Sequence, residues 1–118
     1  MTDEDMKILL KSIKKLNAKK EVLEALKKTD EEYDKLCAVI DSVEYALGSL
    51  SNEEREIIEM HLIQGNPWHR VIAKYEEKHG QMQGYSERTY KRIQQKAIKQ
   101  LADIIEEAEG VLAELTLL

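Results

Sequence analysis

The sequence predicts an all-α protein, and three observations carry that prediction. Five glycines, one proline, no phenylalanine and abundant Lys, Glu, Leu and Ile describe a helical composition. Apolar residues recur at spacings of three and four in nearly every segment, the signature of amphipathic helices. Helix-start signals of the Ser/Thr-x-x-acid type punctuate the chain. A length of 118 residues suits one domain with a modest core, without metal or disulfide staples.

Thr2 with Asp5 marks the first helix start. Met6, Leu9, Ile13 and Leu16 then give one apolar face to about Asn17. The polar stretch Asn17 to Lys20 either breaks this helix or lets it run on. Val22, Leu23 and Leu26 continue an apolar face as far as Lys28. Thr29 and Glu32 form the next capping box, with Thr29 as the cap. Tyr33, Leu36, Ile40, Val43, Leu47 and Leu50 follow at strict heptad spacing. That seam fits a short coiled coil or one helix of a bundle. Gly48 and Ser49 end it.

Ser51 and Glu54 make a further capping box, ahead of a short helix through Ile57, Ile58, Leu62 and Ile63 that Gln64 and Gly65 close. Asn66-Pro67 opens another, with Asn66 as N-cap and Pro67 at the first helical position. Trp68, Val71, Ile72 and Tyr75 form its apolar face, and Trp68 reads as core rather than as a base-stacking platform. His79 to Tyr85 holds two glycines without periodicity and reads as the one true loop. Ser86 is a good N-cap for the last helix. Its apolar stripe is Tyr90, Ile93, Ala97, Leu101 and Ile104. Arg88, Arg92, Gln95 and Lys99 fall opposite, with Lys91 and Lys96 flanking them. The acidic run Asp103 to Glu109 and Gly110 ends the helix, and VLAELTLL follows as an apolar tail that must pack on this chain or a partner.

Charge is sorted along the chain. Residues 69–99 hold eight Lys or Arg against three acids, a net of +5 in a chain of net −5. Residues 29–59 hold ten acids against Lys35 and Arg55, a net of −8, which argues against nucleic-acid contact there. Residues 1–28 carry a net of +3, a basic face that fits contact with DNA or with the acidic middle of the chain, a solvated face being the simpler reading. A basic island in an acidic protein is a sign of a polyanion-binding face.

These residues carry a family resemblance. Leu50-Ser51 with Glu54-Arg55 and Ile57-Ile58, then Ile72-Ala73, then Tyr85-Ser86-Glu87-Arg88-Thr89-Tyr90-Lys91-Arg92, then Lys96-Ala97 and Leu101-Ala102 form one series. The segment Leu50 to Ile105 so resembles the sigma-factor region-4 type of helix-turn-helix. More narrowly, it is similar to the ArpU/RinA-type transcriptional regulators of phages of Gram-positive bacteria. The resemblance spans about half the chain. It departs from the usual tight turn, because Ala73 and Ser86 stand thirteen positions apart. Either the Trp68 helix runs one or two turns longer or the turn carries an insertion.

The resemblance implies a sequence-specific DNA-binding transcriptional regulator, with the helix from Ser86 in the major groove. Glu87, Arg88, Thr89 and Arg92 are then the base-contacting residues, since the first turns of a recognition helix reach base edges. Arg70, Lys74, Ser86, Lys91, Gln95, Lys96 and Lys99 are the phosphate contacts. Residues 1–49 form an N-terminal helical region for packing or oligomerisation, 50–109 the DNA-binding region and 110–118 the tail. Double-stranded DNA is the expected partner, with RNA polymerase and a homodimer through the N-terminal helices as further candidates. Two rival readings are a small-terminase-like packaging protein and a helical interaction module without DNA binding.

Other chemistry is set aside. Cys37 is the only cysteine, so no intrachain disulfide forms, and a buried thiol in a reducing compartment is expected. His61, His69 and His79 lie too far apart for a helical metal site. A single Glu76-x-x-His79 is short of the paired motifs of di-iron bundles. No phosphate loop, dinucleotide turn or nucleophile–base pair occurs, so neither an enzyme nor a cofactor is expected. No apolar run approaches the roughly 20 residues of a membrane span, and the acidic N-terminus is unlike a signal peptide; a cytoplasmic protein is expected.

Overall fold

The computed structural model describes residues 2–80 and 84–107, and these form five α-helices and no strand. Residues 81–83 of the glycine loop, the end of the acidic run and the apolar tail lie outside the described residues. No helix among the described residues is long and apolar enough to cross a membrane.

Helix α1 spans Asp3–Ala25 in one piece. Thr2 Oγ1 accepts from Asp5 N at 3.1 Å while the Asp5 carboxylate accepts from Thr2 N at 3.5 Å, the reciprocal capping box the sequence predicts. The polar stretch from Asn17 to Lys20 does not break it, because Ala and Lys are good helix formers. Met6, Leu9, Leu10, Ile13 and Leu16 are buried. Beyond them only Leu23 packs on the core; Val22 and Leu26 are exposed, so the predicted apolar face is lost in the last turns.

Helix α2 spans Glu31–Gly48 and folds back on α1 as a hairpin. Its N-cap is Asp30 and not the expected Thr29. The Asp30 Oδ1 atom accepts from Glu32 N (3.1 Å) and Tyr33 N (3.3 Å), satisfying two orphan donors at the positive end of the helix. The heptad seam is buried apart from Tyr33, which stays half exposed and donates its hydroxyl to Glu24 Oε1 at 2.7 Å. Val39 and Ala46 are buried as well, which widens the seam into the face of a bundle helix packed within its own chain. Cys37 is half-buried rather than buried, at the edge of that face.

Helix α3, Asn52–Ile58, starts at the Ser51–Glu54 capping box and passes into a π-helical turn, Glu59–Ile63. The wider turn leaves the Met60 carbonyl without its helical partner. Asn66 supplies one, with its backbone N–H at 3.1 Å and its side-chain amide at 3.0 Å. Asn66 therefore closes the π turn instead of capping α4. Pro67 occupies the N-cap position of α4, Trp68–His79, and makes no side-chain capping bond. The helix runs on past Ala73 to His79, which accounts for part of the long connection; residues 81–83 of the remainder lie outside the described residues. Glu56 fixes the end of α4 to α3, accepting from Lys78 Nζ at 2.8 Å and pairing with His79 Nε2 at 2.7 Å. The His79 ring also lies against Tyr75 at 4.4 Å.

Helix α5, Glu87–Glu107, is the element on which the others meet. Its buried positions are Tyr90, Gln94, Ala97, Ile98, Leu101, Ala102 and Ile105. The predicted stripe is therefore displaced by part of a turn: Ile93 and Ile104 sit at its margin and Ile98 and Ile105 at its centre. The reason is that α5 packs on two sides. One cluster joins it to α1, α2 and the π turn, and a second joins Tyr90 to Ile57 of α3 and Tyr75 of α4. Tyr90 meets Tyr75 and Tyr85 edge to face, each at 5.6 Å, the arrangement favoured by ring quadrupoles.

Candidate nucleic-acid interface

Packing fixes which side of α5 is free. At about 100° per residue, the buried set faces inward and Arg88, Arg92, Lys96 and Lys99 fall within about 80° of arc on the far side. All four are exposed, and none forms an ion pair among the described residues. Lys96 thus takes the place in this row that the sequence reading gave to Gln95. Four cations on one flank repel each other, which favours an arriving polyanion over self-pairing.

The helix start is built as the sequence predicts. Ser86 Oγ accepts from Thr89 N at 3.3 Å and lies 3.1 Å from Thr89 Oγ1. Glu87 and Arg88 are exposed in the first turn and Thr89 is half-buried against its cap. Glu87 and Lys91 pair at 3.8 Å with both side chains more than half exposed, a weak contact at this separation. On α4, Arg70 and Lys74 occupy one exposed flank, a turn apart, outside the buried face of Val71 and Tyr75.

Two candidates turn away from the outer row. Gln95 donates to Asp3 Oδ2 at 2.7 Å, which ties α5 to the first turn of α1. Lys91 and Gln95 there meet Lys7 and Lys11 of α1, with His61 of the π turn and Trp68 of α4, around a recess of about 250 Å³. Trp68 is only half-buried and stacks on His61 with ring centroids 3.9 Å apart, so it is a wall of this recess as well as a core residue. His61 Nδ1 lies 2.6 Å from Gln94 Oε1, the hydrogen bond that accommodates a glutamine in the core. Burial lowers the basicity of the His61 imidazole, and repulsion from Lys11, Lys7 and Lys91 lowers it further against the opposing bond to Gln94.

Sequence reasoning missed Lys7, Lys11, His61 and Gln94 as members of one site. The i, i+4 lysines of α1 and a glutamine inside an apolar stripe are signals, but only the fold brings them together. Among the described residues no group of three or more His, Cys, Asp or Glu is placed to hold a metal ion. Comparison with protein-family models, with curated proteins and with solved structures finds no match to this chain.

Proposed function

We propose that this chain is a sequence-specific DNA-binding transcriptional regulator of the phage or prophage type, with α5 entering the major groove from Ser86. The observation that carries the reading is the outer row of α5, where Arg88, Arg92, Lys96 and Lys99 are exposed and unpaired among the described residues. Glu87, Arg88, Thr89 and Arg92 lie in the first two turns and are the base-reading set. Arginine is suited to that work because its fork matches the two acceptors of guanine. Lys91, Lys96 and Lys99, with Arg70, Lys74, Ser86 and Gln95, position the helix on phosphates. RNA polymerase is a candidate partner on the same terms.

Selection from a pool of random duplexes tests sequence reading directly. A regulator enriches one motif, bound at least about 10³-fold more tightly than unrelated duplex. A pool that stays random through repeated rounds would sink the reading.

A second reading rests on a different observation. Ile8, Val22, Leu26 and Tyr45 are exposed large hydrophobic residues on the α1–α2 hairpin, suited to an interaction module or a homodimer. The packaging reading instead requires a large closed ring. Light scattering separates monomer, dimer and ring.

A further inference from the structure

Building on the DNA-binding reading of α5, we propose that the recess between α1, the π turn, α4 and α5 is a phosphate-binding site that seats one phosphodiester of the nucleic-acid backbone. Lys7 and Lys11 of α1 and Lys91 of α5 are its cationic ligands. The basic face of α1, for which the sequence leaves both a solvated role and DNA contact open, becomes part of the interface.

The chemistry of the lining supports this assignment. Lys7, Lys11 and Lys91 line the recess with Gln95, His61 and Trp68, and the acid nearest this lining is Asp3, which accepts from the Gln95 amide at 2.7 Å without itself lining the recess. These groups offer donors to an anion. The lysines' present partners are weak. Lys7 meets Glu4 at 3.5 Å and Lys91 meets Glu87 at 3.8 Å, each acid more than half exposed, and Lys11 has no ion pair among the described residues. Exposed pairs of that length contribute little, so a phosphate can replace them at small cost. A phosphate also offers each lysine a charge-assisted bond.

Size and position narrow the occupant. With a water occupying about 30 Å³, 250 Å³ has room for a phosphate group and several waters. It is below the range typical of drug-sized ligands. Lys91 is the chain neighbour of Arg92 and lies about 60° around α5 from Arg88, so the recess adjoins one flank of the base-reading face. His61 reports occupancy. Its ring feels all three lysines, and an anion among them offsets that repulsion and raises its pKa.

The test measures duplex binding by fluorescence anisotropy over a salt series for the wild type, Lys11→Gln, Lys96→Ala and Lys28→Gln. Lys28 lies past the end of α1 and is the control for a lost charge outside the recess. Lys11→Gln should shrink the log–log slope by about one unit, as Lys96→Ala does, while Lys28→Gln leaves it unchanged. The His61 ring resonance, followed by NMR, should titrate at higher pH in the presence of duplex. If Lys11→Gln matches Lys28→Gln while Lys96→Ala still shrinks the slope, the recess is overturned and the regulator reading stands. If the wild type binds no duplex, the nucleic-acid assignment falls with that reading. Movement of the His61 signal by millimolar inorganic phosphate would then identify a free phosphate as the occupant instead.

Discussion

The two faces of α5 predict opposite outcomes for substitutions only six positions apart. Ile98 is fully buried in the core that α5 shares with α1 and α2. Truncation to alanine removes three carbons from a closely packed site and costs roughly 2–5 kcal/mol. At about 2.1 cal/mol/K per residue, a chain of 118 residues loses about 4 °C of Tm per kcal/mol, so Ile98→Ala should lower Tm by roughly 8–20 °C. Arg92 is exposed and unpaired among the described residues. Arg92→Ala should therefore change stability by no more than about 0.5 kcal/mol, or about 2 °C on the same scale. The same substitution should weaken specific DNA binding by roughly 1–3 kcal/mol. Calorimetry and anisotropy on the two variants separate the roles. A fall in Tm of more than about 5 °C for Arg92→Ala would place Arg92 in the fold, and the assignment of the outer face would be wrong.

Further predictions follow from single contacts. Arg88→Ala should relax sequence preference at one base pair, whereas Lys96→Ala should weaken all duplexes alike; a binding-site selection repeated on each variant distinguishes them. Asp30→Ala should cost about 0.5–2 kcal/mol and Thr29→Ala almost nothing, as read by chemical denaturation, and the reverse order would restore Thr29 as the cap. Stability should fall with acidification in two windows, seen as Tm against pH. Burial resists protonation of native His61, so the unfolded chain binds more protons below pH about 6.5 and stability declines there; His61→Gln flattens that window. Burial works against the Glu56 charge, but hydrogen bonds from Lys78 and His79 prevail and hold its pKa below the ordinary value. Its contribution is present above the unfolded value and is lost as pH falls through the native one, and Glu56→Gln removes that loss.

Local signals in the sequence carried most of the helical layout. The capping boxes at Thr2 and Ser51, the heptad seam of α2 and the Ser86 cap each depend on residues within one or two turns, so spacing alone reveals them. The misreadings share a cause in tertiary context. Asn66 has the chemistry of an N-cap, yet the π turn presents the Met60 carbonyl and takes its amide. Gln94 interrupts the apolar pattern of α5, so the stripe seemed to run through Ile93 and Ile104. In the fold, its bond to His61 carries the glutamine into the core. The outer row of α5 was nearly legible because one helix bears it. The recess was not, because its lysines belong to helices about 80 residues apart in the chain.

In the proposed reading the exposed basic face of α5 and α4 binds duplex DNA, and the salt dependence of binding to mixed-sequence duplex tests this most directly. About four to six lysines and arginines near phosphates predict a log–log slope on the order of −4 to −5. A slope in that range, reduced by about one unit in Lys96→Ala, supports the assignment. Absence of binding even at low salt would contradict it and leave the row as a solvated face.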